Sequence, residues 1–275
     1  MAQRRRLDAD AATGLTGLLA RLLAPEGLAR FVFSADGPAA IVQAAAIARR
    51  HWRLAGHPER SRILSSRQIP PAGWGTVAAV IARPEACGLR LRDLRRRHGF
   101  LVIADETVTG FGRTGLMFGS RGWGFSPDLM ALAGPLGITA AGDGLHGLPG
   151  DGRRGRQGAC VAALERIAAI VDGNLAGNAA RQGALLLGVL RRRAETSDLI
   201  GRVHGSGLLI CIDLVADKPR RIPLAANDPR CEAVMQACAG LPVHLAGSRL
   251  MLMPPLTLSA EDTAGMAARL IAILA

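Results

Sequence analysis

Short apolar runs alternate along this chain with longer stretches in which apolar residues recur at helical spacing. That alternation of predicted strands and helices is typical of an α/β fold with a mostly parallel sheet flanked by helices. Strand-like runs occupy residues 30–33, 62–66, 76–81, 100–104 and 129–133. Helical spacing predicts helices at 15–23, from the turn at 34–40 to about residue 53, and at 89–98.

The pattern changes in the second half of the chain. Residues 159–190 predict long helices with a break near Asp172 and Gly173, and another strand follows at 208–215. The break predicts a boundary between a large domain, residues 1–172, and a smaller C-terminal α+β domain, residues 173–275. Ser259 is placed to cap a last helix, with Asp262 three residues on as in a capping box.

The central stretch, residues 100–115, carries the candidate chemistry. Residues 100–104 form an unbroken apolar run, typical of a strand buried on both faces, and Asp105 and Glu106 follow at its carboxyl end. Ligands bind at that edge of open α/β sheets, so Asp105 is a candidate functional residue. The alternative is that Asp105 and Glu106 cap the turn that follows. The local pattern favours neither interpretation.

Composition and charge narrow the function. The 275 residues are 49% hydrophobic and 20% charged, which predicts a globular protein with a full core. A net charge of +12 raises the possibility of nucleic-acid binding. However, the arginines are scattered, only one of the 34 basic residues is lysine, and no aromatic residues interleave to stack on bases. The pattern therefore favours solvated arginines, and no nucleic-acid partner is predicted.

Cysteine usage and hydropathy bear on location. The cysteines are odd in number and lack paired metal-ligand spacing, which predicts reduced thiols and no metal site; they are Cys87, Cys160, Cys211, Cys231 and Cys238. No apolar run is long enough to span a membrane, and Asp8 and Asp10 interrupt the segment where a signal core would lie. The sequence predicts a cytoplasmic protein without a membrane partner.

A resemblance distinguishes the two interpretations of Asp105. Residues 103–115 read Ile-Ala-Asp-Glu-Thr-Val-Thr-Gly-Phe-Gly-Arg-Thr-Gly, and Ser-Pro-Asp-Leu-Met follows at 126–130. This run resembles the signature of the class III aminotransferases, the omega-transaminase group of pyridoxal-phosphate enzymes. The resemblance implies PLP-transferase fold type I, pyridoxal phosphate as cofactor, and amino transfer between an amine or amino acid and a keto acid. It assigns Asp105 to the pyridine nitrogen of the cofactor and Thr107, usually valine, to the face of its ring.

The turn at 34–40 departs from the family pattern. There the family binds the cofactor phosphate through backbone amides and a hydroxyl at a helix start. This chain keeps Gly37 and Ala40 of the motif, while Pro38 lacks an amide donor and Asp36 adds a negative charge. An ordinary Asp-capped helix is the better interpretation, with Gly37 a vestigial cofactor residue.

The family's Schiff-base lysine is also absent. Where the family has Ala-Lys-Gly after the strand at 129–133, this chain has Ala133-Gly134-Pro135. A Schiff base requires a primary amine, and the only lysine is Lys218, which the resemblance places in a surface turn. No catalytic residue is therefore assigned, and Gly134 stands at the lysine position.

Further parts of the cofactor site are replaced. The chain has no tyrosine, so the ring-stacking aromatic expected between Ser66 and Pro70 is missing, and Arg83 stands where the family has glutamate. The threonine that holds the phosphate across the family's dimer interface falls on Pro149 or Gly152. His146, alone in a glycine-rich loop, is more typical of a loop residue than of a base.

Three hypotheses follow from the resemblance. The first is a truncated, degenerate class III aminotransferase-like protein that lacks the family's N-terminal segment and is inactive alone. The second is a non-catalytic or regulatory subunit that pairs with an intact homologue. The third is an active aminotransferase whose site is completed in a way the sequence does not reveal. The family's dimeric architecture predicts a homodimer, or a heterodimer with such a homologue. The replaced residues make binding of pyridoxal phosphate by this chain doubtful.

Overall fold

The computed structural model describes residues 2–84, 89–149, 157–225 and 227–274. The chain forms two compact units. One consists of Met1–Gly110 and Phe118–Ala169, and the other of Phe111–Met117 and Ile170–Ala275.

The first unit is built on a six-stranded sheet. Its strands are β1 (Leu28–Ser34), β2 (Arg62–Ser65), β3 (Val77–Ala82), β4 (Leu101–Glu106), β5 (Leu129–Ala133) and β6 (Gly137–Gly142). They lie in the order β1-β6-β5-β4-β3-β2. Neighbours from β2 to β5 pair in parallel, and β6 pairs antiparallel with both β5 and β1. Every strand except β6 therefore runs in the same direction.

Helices pack beside this sheet, and small residues allow α2 to lie close to it. They are α1 (Ala2–Leu23), α2 (Gly37–Leu54), α3 (Leu89–His98) and α4 (Gln157–Asp172). Helix α2 packs on β1, β5 and β6 through small buried residues, among them Ala40, Ala44 and Ala48. All six residues of β4 are buried, as expected of a central parallel strand covered on both faces.

The second unit has a separate antiparallel sheet. Its strands are β7 (Ile200–Ser206), β8 (Leu209–Asp217), β9 (Ile222–Pro223), β10 (Val243–Ala246) and β11 (Arg249–Leu252). The order is β10-β11-β8-β7, with β9 paired to β8. Its helices are α5 (Leu175–Thr196), α6 (Pro229–Ala237) and α7 (Ala260–Ile273). Leu186 and Leu190 of α5, Ile210 and Ile212 of β8, and Leu270 of α7 share one buried apolar cluster.

The predicted α/β class with a mostly parallel sheet is confirmed, and so are most of the predicted elements. Helix α3 and strand β5 have the predicted bounds. Strand β4 continues two residues further than the apolar run, so Asp105 and Glu106 belong to it. Strand β6 was not predicted from the sequence. The domain division at residues 172 and 173 stays a prediction, although α4 ends and α5 begins on either side of it.

Candidate functional site

The candidate site lies at the carboxyl ends of β3, β4 and β5. Asp105 is close to the end of β4, and Ala82 at the end of β3 pairs with Ala104 of β4. Arg83 therefore leaves β3 level with Asp105. Gly134 directly follows β5, and α2 starts at Gly37 on the same side. The parallel order of the strands brings these sequence-distant positions to one edge of the sheet.

Both oxygens of the Asp105 carboxylate are engaged by the protein itself. The side chain is 6% exposed. Its Oδ2 accepts a hydrogen bond from Nε of Arg83 at 3.2 Å. Its Oδ1 accepts from the Thr107 hydroxyl at 2.6 Å and from the Thr107 amide at 3.2 Å. The carboxylate that the resemblance assigns to a pyridine nitrogen is thus already paired with a cation.

The reversed charge at Arg83 is evident from the sequence, but its ion pair with Asp105 was not predicted. The signal was present, because residues at the same register position on neighbouring parallel strands lie side by side. Finding it required the register of β3 against β4, which the residue pattern alone does not fix.

Gly37 and Thr107 are packed against each other. A Cβ atom added to Gly37 would lie 2.8 Å from Cβ of Ala133 and 3.1 Å from Cγ2 of Thr107. Cβ atoms do not approach others so closely, hence only glycine fits here. The start of α2 is in direct contact with the ends of β4 and β5.

The first turn of α2 uses its own amides. Oδ1 of Asp36 accepts from the Ala39 amide at 2.8 Å, and the Asp36 carbonyl accepts from the Ala40 amide at 3.1 Å. Pro38 has no N–H. Gly37 is the remaining first-turn amide, so Asp36 takes the place that an external anion would have at this helix start. The predicted Asp-capped helix is confirmed.

Gly134 offers no amine, yet nothing in its surroundings requires a glycine. A Cβ atom added there would have no heavy atom within 4 Å among the described residues. Its backbone amide donates to the Leu136 carbonyl at 3.0 Å. The absence of lysine is therefore not imposed by packing.

Lys218 is committed to a structural contact in the second unit. Its Nζ donates to the carbonyls of Ala194 at 2.5 Å, Ser197 at 2.8 Å and Glu195 at 3.3 Å. These carbonyls end α5, where a cation is favoured by the helix dipole. All three contacts hold the Lys218 amine against the end of α5.

Glu106 has the turn-capping role that was the alternative for this pair of carboxylates. It is 1% exposed, and Oε2 accepts from the Thr109 hydroxyl at 2.6 Å and the Gly119 amide at 3.0 Å. Oε1 accepts from the Ser120 amide at 2.6 Å. Glu106 thereby fixes the loop after β4.

His146 lies beside a second histidine, His51, and this contact was not predicted from the sequence. The rings of His51 and His146 stack with centroids 5.4 Å apart, and Nδ1 of His51 accepts from the His146 amide at 3.1 Å. Burial, and then the neighbouring His146, lower the pKa of His51. Gly152, the other position considered for the missing threonine, lies outside the described residues.

No disulfide bond joins the cysteines in the described part of the chain, which are Cys160, Cys211, Cys231 and Cys238. Cys87 lies outside that part. Within 2–84, 89–149, 157–225 and 227–274, no three histidine, cysteine or acidic side chains are grouped to hold a metal ion. In the same ranges no helix is both long and apolar enough to cross a bilayer.

Comparison with known proteins identifies the family. The family model for Aminotransferase class-III matches residues 77–274. The chain belongs to the class III aminotransferases. An acetylornithine aminotransferase from Methanothermobacter thermautotrophicus is 31% identical over 66% of this chain and 47% of its own length. A leucine/methionine racemase from Thermococcus litoralis is 33% identical over 67% of the chain and 44% of its own length.

Solved structures agree with this assignment. An amine transaminase from an uncultivated Pseudomonas species, in its PLP-bound form, superposes with a TM-score of 0.86 at 30% identity, covering 96% of this chain and 80% of that one. The fold is therefore that of PLP transaminases, as the resemblance implied. The matched part of this class III chain spans about half the length of the curated relatives.

Proposed function

We propose that this class III family member is non-catalytic when alone. It resembles enzymes that transfer an amino group between an amine or amino acid and a keto acid. The observation that carries the proposal is Gly134, which ends β5 at the family's lysine position without an amine. The only lysine in the chain, Lys218, caps α5 instead.

The remaining residues do not fit pyridoxal phosphate. A protonated pyridine nitrogen would compete with Arg83 for Asp105 and would lie beside a like charge. The cofactor phosphate would meet the Asp36 carboxylate, which already takes the Ala39 amide. We propose that Asp105, Thr107 and Gly37 keep the positions of cofactor-binding residues but bind no cofactor.

A subunit role is the second candidate. It is favoured by the contrast between the replaced site and the intact cores of both units, in which residues such as Val102, Ile103, Ile210 and Leu270 are fully buried. A chain that keeps its fold but not its chemistry is suited to pairing with an intact homologue. Co-expression with an intact class III aminotransferase tests this candidate. Co-purification in fixed proportion with altered turnover of the intact enzyme supports it, and independent purification with unchanged turnover contradicts it.

The primary proposal is tested by transamination assays on the wild type and on Gly134→Lys. Both are assayed with pyridoxal phosphate, a set of amine donors and pyruvate, beside an active class III transaminase. We expect no turnover by either, because the groups of a cofactor site act as a unit and one restored member does not recover the rest.

Gly122→Lys is the matched control, since it adds a lysine at another glycine where a Cβ meets nothing within 4 Å. Turnover by the wild type would refute the proposed inactivity. Turnover by Gly134→Lys but not by Gly122→Lys would show that the cofactor cup is preserved.

A further inference from the structure

A groove of about 400 Å³ lies at the opposite end of the sheet from the candidate site, beside the start of β4 and the residues before β5. It belongs wholly to the first unit. Its lining combines arginines with aromatic rings, and consists of Trp52, Arg92, Arg95, Arg96, Gly99, Phe100, Leu101, Phe125 and Asp128. Its volume is in the range of small-molecule sites.

The arginines come from one face of α3. Arg92, Arg95 and Arg96 are separated by three and four residues, the spacing that places side chains together on a helix. Arg95 is compensated, because its Nη2 donates to Asp128 Oδ1 at 2.6 Å. The other Asp128 oxygen accepts from the Val102 amide at 2.7 Å. Arg92 and Arg96 therefore leave the groove with excess positive charge.

Arg92 carries an unsatisfied donor. Its Nε is buried and has no hydrogen-bond partner in the described part of the chain. Buried polar groups in folded proteins nearly always have a partner, which is a protein group, an ordered water or an ion. Since guanidinium is only a donor, the missing partner is an acceptor, and an anion matches its charge.

The rest of the lining is aromatic and apolar. The Trp52 indole N–H is satisfied by the Ala78 carbonyl at 2.8 Å, so its ring offers apolar surface. The Arg60 guanidinium stacks over one face of the same ring at 4.3 Å, covers that face and adds to the positive field. Phe125 is half-buried and adds a second ring to the wall, whereas Phe100 is 1% exposed and stacks on Trp74. Such surfaces favour a flat ring.

We propose that this groove binds a small anion that carries a flat ring, of about the size of a mononucleotide. The anionic group pairs with Arg92 and Arg96, and the ring packs against Trp52 and Phe125. The site is independent of the transaminase-like edge, because it uses the amino ends of the strands.

Isothermal titration calorimetry at physiological salt tests the proposal with adenosine monophosphate as probe. Adenosine and inorganic phosphate serve as separate arms that carry the ring alone and the charge alone. We expect the monophosphate to bind and each half to bind at least about tenfold more weakly. Arg92→Gln and Arg96→Gln should each weaken binding by about tenfold, the factor expected for losing a charge-assisted contact.

Arg97→Gln is the control, because it removes the same charge from an exposed position of α3 outside the groove. It should leave affinity within about twofold, since exposed charges beyond the contact are screened. Because Arg92→Gln removes a buried donor that has no partner, the melting temperature of the ligand-free variant should be no lower than that of the wild type. Adenosine monophosphate should raise the melting temperature of the wild type but not that of Arg92→Gln.

Three results would overturn the proposal. One is no binding of the monophosphate by the wild type. A second is an equal loss of affinity in Arg97→Gln and in both groove variants. The third is binding of a single-stranded oligonucleotide without binding of the monophosphate, which would make the groove part of a nucleic-acid surface. If Arg92→Gln does not fold, Arg96→Gln against Arg97→Gln decides.

Discussion

At the scale of residues, the proposed inactivity of this chain depends on Gly134 and Arg83. Gly134 removes the amine, and Arg83 gives Asp105 a counter-ion within the protein. The two changes differ in how far the sequence predicts them. The missing lysine follows from the motif alone, whereas the Arg83–Asp105 pair depends on the register of two strands that are separated by helix α3.

Protonation of partly buried histidines should make the stability of the protein depend on pH. Burial lowers the pKa of His51, and Nδ1 must stay unprotonated to accept the His146 amide. Burial also lowers the pKa of His204, against the opposing effect of Asp213. The unfolded chain then binds more protons than the folded one below about pH 6.5, so stability is full above that pH and is lost as pH falls through the lowered pKa values.

We expect the unfolding free energy, measured by urea titration, to decrease from pH 7 to pH 5, and His51→Asn to reduce this decrease. Asn can still accept a hydrogen bond but does not titrate. His244→Asn, at an exposed position of β10, is the control and should keep the wild-type decrease. A pH dependence that is identical in the wild type and His51→Asn would contradict the role of His51.

At the scale of elements, the long apolar or strongly periodic segments were predictable and β6 was not. Strand β6 consists of Gly137, Ile138, Thr139, Ala140, Ala141 and Gly142, residues that mostly lack strand propensity. Its place is set by tertiary contacts. A Cβ on Gly137 would lie 1.8 Å from the Asp36 carbonyl, so the turn before α2 rests on this strand. No local pattern contains that information.

The Asp36 cap should stabilise the start of α2. Asp36→Ala removes the acceptor of the Ala39 amide and should lower the unfolding free energy by about 0.5–2 kcal/mol. Asp36→Ser keeps a capping oxygen and should stay close to the wild type. Chemical denaturation of the three proteins measures the differences. Equal stabilities would mean that the Asp36 contact does not hold the start of this helix.

At the scale of the whole molecule, exposed apolar side chains bear on association. Val108, three residues after Asp105, is 46% exposed, and Val42 on α2 is 69% exposed. Exposed apolar area is unfavourable by roughly 25 cal/mol per Å², and pairing of two chains would cover it. We therefore expect a dimer rather than a monomer of 28.7 kDa.

Light scattering at low micromolar concentration tests this expectation. Val108→Asp should shift the protein toward monomer, whereas Ile222→Asp, at a residue of the second unit that is also 46% exposed, is the control and should not. A monodisperse wild-type monomer with a cooperative thermal transition would contradict both the dimer and the subunit hypothesis.

We expect the folded chain to form no Schiff base with pyridoxal phosphate. The native protein is incubated with excess cofactor, reduced with borohydride and mapped by mass spectrometry, beside an active class III transaminase and a urea-unfolded sample. We predict no stoichiometric adduct on the native chain and modification of Lys218 only after unfolding, because its amine is held by the end of α5. One adduct per native chain at Lys218 would contradict the account.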